Sequence, residues 1–279
     1  MSAIVSFLAE TPVHVGIGQS NAAIDLPFAR ESSTGFPHVP GSGMKGAFRV
    51  WSNGAGFDDG AKKDLFGVAA DEDEGSDKGA GSILLGEARL ALLPVRSVSH
   101  SYLYITCPTI LRRLSQDVAR AGVSLAFPKL DEIAEGKCLS ESEIIGLEER
   151  EFQRQGYVPE GLSETLISLF PQRFSNEDEL GNRIVILNDA DFSWFAEFAL
   201  QVVTRNSLDE NKRVKTGALW SEELLPTDSL LWMFLGTRNG TLEKVRTAIV
   251  AEPYLQVGGN ETIGQGWLHM QCLPLGAAI

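Results

Sequence analysis

The sequence predicts an α+β fold built on a split βαβ, ferredoxin-like core with insertions. Three observations lead there. Apolar, β-branched stretches mix with amphipathic ones, but without the strict β-α-β-α alternation of a doubly wound sheet. No internal repeat or low-complexity linker divides the 279 residues, so a single domain over 1–279 is expected. A hydrophobic fraction of 43% beside 22% charged residues supports a sizeable core.

The elements follow in order. Ser2 to Leu8 alternates and reads as a strand. Residues 43–53 read as a short helix, because Met44, Ala47, Phe48 and Trp51 recur at i, i+3, i+4 and i+7, and Ser42 is placed to cap it. The stretch 68–81 is rich in Gly, Asp and Glu, has little to bury, and is expected to be a mobile loop. Ile83 to Val95 and Tyr102 to Thr106 read as strands. Pro108-Thr109 opens a helix to about Ala121, with Thr109 as its expected cap. Residues 123–180 are irregular, acidic and interrupted by prolines and glycines, and are expected to form an inserted, partly helical lobe. Arg183 to Leu187 is a short strand, and Asp191 to Val203 a helix with Phe192, Phe195, Phe198 and Ala199 on one side. Strands at Val214–Trp220 and Leu230–Leu235, a helix at Leu242–Ala251, and strands at Tyr254–Val257 and Leu268–Leu273 complete the chain.

Composition excludes several classes. No run approaches the ~18 apolar residues of a membrane span, so no membrane partner is expected. The start, Met1-Ser2-Ala3-Ile4-Val5, shows no basic leader or cleavage pattern. Cys107, Cys138 and Cys272 fit neither a disulfide framework nor a zinc site, and a reduced cytoplasm is the expected location. A net charge of −13 argues against nucleic acid only if evenly spread. It is not: acidic residues gather at 71–74 and 131–151, whereas cations gather at Lys45/Arg49, at Arg96, Arg112, Arg113 and Arg120, and at Arg205, Lys212, Arg213 and Lys215.

The stretch Val39-Pro40-Gly41-Ser42-Gly43-Met44-Lys45-Gly46-Ala47-Phe48-Arg49 carries the clearest chemistry. A glycine-rich loop enters a helix whose N-terminus favours anions, and Lys45 and Arg49, four apart, flank it on one face. That arrangement suits phosphate, although a merely solvated basic face would look the same. Gly16-Ile17-Gly18 lacks the third glycine of a dinucleotide fingerprint, since Asn21 stands there. Gly259 to Gly264 is followed by Gln265-Gly266 where a P-loop needs Lys and Ser/Thr. His14, His38, His100 and His269 show no metal-ligand spacing, and His14 alone shares a segment with Asp25. By itself Asp25 reads as a turn-capping or solvated carboxylate before Leu-Pro.

Taken together, these motifs resemble a known family. Gly35 to Gly46 resembles the N-terminal motif of RAMP-superfamily CRISPR proteins, and Gly258 to Trp267 their C-terminal glycine-rich loop. With Gly86–Ser97, Tyr104–Pro108 and Ala218–Pro226, the set is similar to the repeated backbone subunit, the fourth, of type III-B (Cmr) effector complexes. The resemblance implies an RRM-like palm that holds guide CRISPR RNA, and a protruding β-hairpin thumb that interrupts the guide–target duplex. It further implies copies stacked head-to-tail in a filament with other Cmr subunits, and an endoribonuclease that cuts complementary target RNA at regular intervals. The family's cleaving aspartate maps to Asp25, with His14 and Glu222 as secondary candidates and Glu223 beside it, reaching across an interface. A divalent ion, Mg or Mn, is implied, and Asp25 is its one candidate ligand.

Expected RNA contacts are Ser42, Gly43, Lys45 and Arg49 in the palm, and Arg205, Lys212 and Arg213 in a thumb over 204–219. Gly258, Gly259 and Thr262 belong to the glycine loop, which permits close backbone approach either to RNA or to the helix near Ser42. A non-cleaving scaffold of the same fold is the alternative. A guide-processing nuclease, which relies on a histidine-centred site, fits the scattered histidines poorly.

Overall fold

The computed structural model describes residues 1–68, 79–171 and 180–273. In chain order the strands are β1 (Ser2–Ala9), β2 (His38–Val39), β3 (Ile83–Leu85), β4 (Ala88–Arg96), β5 (Tyr102–Thr106), β6 (Lys137–Leu139) and β7 (Ile144–Leu147). They continue as β8 (Arg150–Gly156), β9 (Ile184–Leu187), β10 (Gln201–Leu208), β11 (Val214–Leu224), β12 (Leu230–Thr237), β13 (Tyr254–Gln256) and β14 (Trp267–Cys272). The helices are α1 (Gly41–Gly54), α2 (Asp59–Phe66), α3 (Pro108–Ala121), α4 (Leu162–Ile167), α5 (Asp189–Phe198) and α6 (Leu242–Ala251). None of the described helices is long and apolar enough to cross a membrane.

Strands β14, β1, β12 and β4 are neighbours in that order, and each pair is antiparallel. β1 and β4 therefore run parallel with β12 inserted between them, which is the split βαβ arrangement. Every residue of β1 from Ala3 to Ala9 is buried, because both faces of the sheet are covered. On one face Phe7 meets Phe48 of α1 edge-on at 6.4 Å. On the other, Ser6 pairs with Trp232, whose indole N–H donates to Asp117 of α3 at 3.2 Å. Alternation along β1 thus sends Phe7 to α1 and Ser6 toward α3.

Helix starts are where the structure departs most from the sequence reading. Pro40, not Ser42, is the N-cap of α1, since Met44 N–H donates to the Pro40 carbonyl; Ser42 lies inside the first turn and makes no capping bond. Cys107 caps α3 and Pro108 occupies its first turn. Thr109 is instead held by Asp189 of α5, whose carboxylate accepts from its amide at 2.9 Å and its hydroxyl at 2.7 Å. Asn188 accepts from Asp191 N–H at 2.8 Å and so starts α5 before Asp191. That helix stops at Phe198, and Gln201–Val203 pass into β10; Phe198 faces solvent while Phe192 and Phe195 are buried.

The insertion at 123–180 carries more strand than helix among its described residues, most of which are irregular. β6, β8 and β7 extend the sheet beyond β9, and the described helix there is the six-residue α4. The expected strand Ile83–Val95 is two strands with Gly86 and Glu87 between them, and Gly86 N–H still donates to the Phe234 carbonyl of β12, which pairs with both. The expected loop at 68–81 falls largely outside the described residues. β10 and β11 form a separate two-stranded hairpin that spans 201–224, longer at its root than the expected 204–219.

Candidate active site

Three segments meet at the root of the hairpin: the N-terminal loop from Thr11 to Pro37, the end of β11, and the glycine loop 257–266. The N-terminal loop lies along β11, with bridges Val13↔Leu225 (antiparallel) and Leu26↔Glu222 (parallel). Glu223 N–H donates to the Leu26 carbonyl at 3.0 Å, and Glu223 Oε2 accepts from Phe28 N–H at 2.8 Å. Arg30 completes the seam by pairing with Glu223 Oε1 at 2.5 Å and donating to the carbonyls of Gly35 and Ala196.

Asp25 stands exposed at this seam. Its Oδ2 accepts from the Ser221 amide at 2.7 Å and the Ser221 hydroxyl at 2.8 Å. Those two bonds, the amide first, hold its carboxyl below the usual carboxylate range. Asp25 is therefore an anion at neutral pH. A carboxylate of depressed pKa is a weak proton acceptor but a good ligand for a cation or a developing positive charge.

The structure brings His14 and Glu222 to the same root but engages both. The His14 ring is buried, and its Nδ1 lies 2.9 Å from the Glu223 carbonyl. A carbonyl only accepts, so Nδ1 carries the proton. No hydrogen bond joins His14 to Asp25. Glu222 accepts from Arg205 Nε at 2.5 Å, Trp220 Nε1 at 2.8 Å and Asn260 Nδ2 at 2.9 Å. Burial pushes its pKa up, but these three donors together hold it below the usual range. Glu222 and Glu223 thus fasten the hairpin to the N-terminal and glycine loops of its own chain. Arg205, expected as an RNA contact, is half of that fastening and only partly exposed.

The hairpin tip presents the remaining cations. Asp209 Oδ1 accepts from the amides of Asn211 and Arg213, closing a turn that places Lys212 at φ 59°. Lys212, Arg213 and Lys215 are exposed there.

The palm side is arranged around α1. The amides of Ser42 and Gly43 precede the first α-helical hydrogen bond, and both residues are exposed. Lys45 is exposed beside them with no ion-pair partner among the described residues. Arg49, expected to act with Lys45, instead donates to the Gly67 carbonyl after α2, so its guanidinium is turned inward. A groove of about 380 Å³ separates α1 from the glycine loop, lined by Gly43, Ala47, Trp51, Tyr254, Gly258 and Trp267.

At Gly258, which is exposed to the groove, the glycine loop packs its backbone against the N-terminal loop. A Cβ there, at φ +77°, would stand 2.0 Å from the His14 carbonyl, which also accepts from Gly259 N–H at 2.9 Å. Gly258 is thus required by the N-terminal loop. Thr262 lies exposed in a 3₁₀ turn, Glu261–Ile263.

Among the described residues, Glu31, His38 and Glu87 bring three ligand atoms within 4.8 Å of one another. Arg113 and Thr34 already hold Glu31 Oε2 at 2.6 and 2.7 Å, and Arg89 lies 3.8 Å from Oε1, so two cations stand where a metal would. The sequence reading missed Ser221, Arg30 and Asn260. Ser221 and Asn260 lie inside the motif blocks Ala218–Pro226 and Gly258–Trp267, but the partners of Ser221 and Arg30 are 196 and 193 residues away, and a single sequence gives no sign of that pairing.

Comparison with known proteins accounts for this arrangement. A sequence model of the RAMP superfamily matches residues 6–269. The CRISPR system Cmr endoribonuclease Cmr4 of Pyrococcus furiosus is 30% identical over 281 residues, covering 96% of this chain and 94% of that protein. The CRISPR system CMR subunit Cmr4 of Saccharolobus solfataricus is 26% identical over 300 residues, covering 95% and 94%. The crystal structure of oligomeric Cmr4 from Pyrococcus furiosus matches with a TM-score of 0.75 at 25% identity, over 99% of both chains. A chain in the cryo-EM structure of type III-B Cmr-beta bound to cognate target RNA shares the fold, with a TM-score of 0.74 at 22% identity over 98% of this chain and 97% of that one. The chain belongs to the RAMP superfamily, in its Cmr4 branch.

Proposed function

We propose that the chain is the guide-RNA-binding backbone subunit of a type III-B CRISPR effector and cleaves complementary target RNA, with Asp25 at the cutting site. The observation that carries this is the placement of Asp25. It is an exposed, ionised carboxylate at the root of a hairpin, where the N-terminal loop, β11 and the glycine loop meet. The similarity to the Pyrococcus furiosus endoribonuclease over nearly the whole chain supports the reaction class. Copies stacked head-to-tail along the guide, together with other Cmr subunits, form the assembly, and the cytoplasm is its location.

In this reading Lys45 and the amides of Ser42 and Gly43 hold the guide backbone, because phosphate is drawn to a helix N-terminus flanked by a cation. The hairpin, carrying Lys212 and Arg213 at its tip, separates guide from target and turns one target nucleotide out of the A-form stack. In-line geometry follows from that displacement. The target 2′-hydroxyl gives its proton to solvent water as its oxygen bonds to the adjacent phosphorus. The bond from phosphorus to the 5′-oxygen breaks, and that oxygen takes up a proton. The products are a 2′,3′-cyclic phosphate and a free 5′-hydroxyl.

The site fits a divalent cation of the Mg or Mn kind. Asp25 Oδ1 has no hydrogen-bond partner in another described residue, whereas the Glu222 and Glu223 oxygens are taken. Such ions bind through a single carboxylate, substrate phosphates and water. Asp25 would hold it, and the ion would neutralise charge on the reacting phosphate.

Asp25→Ala in the reconstituted complex tests the reading: cleavage should stop while guide and target binding persist. Parallel loss of binding would overturn it. A 2′-deoxy substitution at the scissile nucleotide should also block cutting, and continued cutting there would exclude 2′-hydroxyl attack.

A further inference from the structure

We infer that Ser221 is a positioning residue for the cleaving carboxylate, fixing Asp25 to the root of the hairpin and leaving a single oxygen, Oδ1, turned outward. The inference rests on the reading of Asp25 given above.

Ser221 commits every polar group it has to residues 25 and 26. Its amide donates to Asp25 Oδ2 at 2.7 Å, and its hydroxyl donates to the same oxygen at 2.8 Å. The hydroxyl oxygen accepts from Asp25 N–H at 3.0 Å, and the Ser221 carbonyl accepts from Leu26 N–H at 3.0 Å. The two residues lie 196 positions apart in sequence, so this is a tertiary fastening and not a local turn.

The geometry suits a catalytic carboxylate. Asp25 sits in an exposed loop, where a side chain would sample several rotamers. Ser221 sits on β11, paired with Thr204 of β10, and so offers a rigid donor pair. Holding Oδ2 from two directions leaves one orientation for Oδ1. It also places Asp25 in register with the hairpin, so that the nucleotide displaced by the hairpin and the carboxylate that acts on it are set by one strand. A hydroxyl that both donates and accepts is needed; alanine keeps the amide bond but leaves Asp25 N–H without its partner.

The test uses the assembled complex carrying Ser221→Ala, Ser221→Thr, Ser221→Cys or Asp25→Ala. Ser221→Ala should slow single-turnover cleavage by about 10- to 100-fold, as expected when a reacting group loses its orientation. Target binding should be unchanged. The acid limb of the pH–rate profile should move to higher pH, because a carboxylate that loses a donor protonates more easily. Ser221→Thr, which retains the hydroxyl, should restore both rate and limb. Where Ser221→Ala impairs assembly, Ser221→Cys, a weaker donor of similar size, gives the same two readouts. A Ser221→Ala complex with the wild-type rate and acid limb, alongside an inactive Asp25→Ala complex, would overturn the role of Ser221 alone. An Asp25→Ala complex that still cuts would overturn the reading of Asp25 on which it rests.

Discussion

Glu223→Gln probes the seam that binds the N-terminal loop to the hairpin. The Glu223 side chain is 4% exposed and that of Arg30 is 23% exposed, with Nη2 and Oε1 2.5 Å apart. Glutamine has a single acceptor oxygen, yet two donors, Arg30 and Phe28 N–H, need one each. One donor is left facing an amide NH₂. Removing one partner of a fully buried pair costs about 3–5 kcal/mol, and the partial exposure of Arg30 reduces this to about 2–3 kcal/mol. Unfolding entropy of about 2.1 cal/mol/K per residue over 279 residues is about 0.6 kcal/mol/K, so Tm should fall by about 3–5 °C. Calorimetric or circular-dichroism melts at neutral pH measure it. Arg30→Met combined with Glu223→Gln should cost less than the sum of the two single changes, because both remove the same ion pair. A Glu223→Gln melt within about 1 °C of wild type would refute the argument that this pair fastens the loop.

The other predictions concern the loop, the charges and the guide. Gly258→Ala should cost about 2–4 kcal/mol in denaturant unfolding, because strain at positive φ adds to a clash with the His14 carbonyl; Gly264→Ala, also at positive φ but in open space, should cost about 1 kcal/mol. Equal losses would show that the close approach is not what demands glycine. Burial works against the Glu31 carboxylate, but Thr34, Arg113 and Arg89 outweigh it and hold its pKa below the usual range. The unfolded chain therefore binds that proton more tightly, and stability present at neutral pH is lost as acid titrates the folded group; Glu31→Gln should flatten the fall of Tm with acidification. Lys45→Glu should weaken guide binding for every guide sequence and lower the salt slope by about one phosphate contact, and an effect confined to particular guides would contradict it.

Local pattern and long-range pairing explain what was legible in the sequence. Helix α6 matches its expected bounds, and α3 its expected start, because apolar residues recur at helical spacing and Pro108 and Gly122 punctuate the ends of α3. β1 was read as an alternating strand, yet Ala3 to Ala9 are all buried, and β12, an apolar run, is buried except at Phe234. β8 was not, since its sequence REFQRQG buries only Phe152 and carries no alternation of hydrophobic residues. The caps were misassigned for a related reason. Thr109 belongs to a cap supplied by Asp189, 80 residues on, and local spacing cannot encode such a partner. At the site, Asp25 was singled out through the family resemblance alone, and the fastening by Ser221 and the inward turns of Arg49 and Arg205 depend on tertiary neighbours.

The central claim is that the charge of Asp25 acts on the target. Asp25→Asn keeps the size of the side chain and an oxygen for Ser221, and removes only the charge. In single-turnover cleavage by the assembled complex, with target affinity measured on the same preparation, the account predicts a loss of about a hundredfold or more in rate at unchanged affinity. Cutting at the wild-type rate by the Asp25→Asn complex would contradict it.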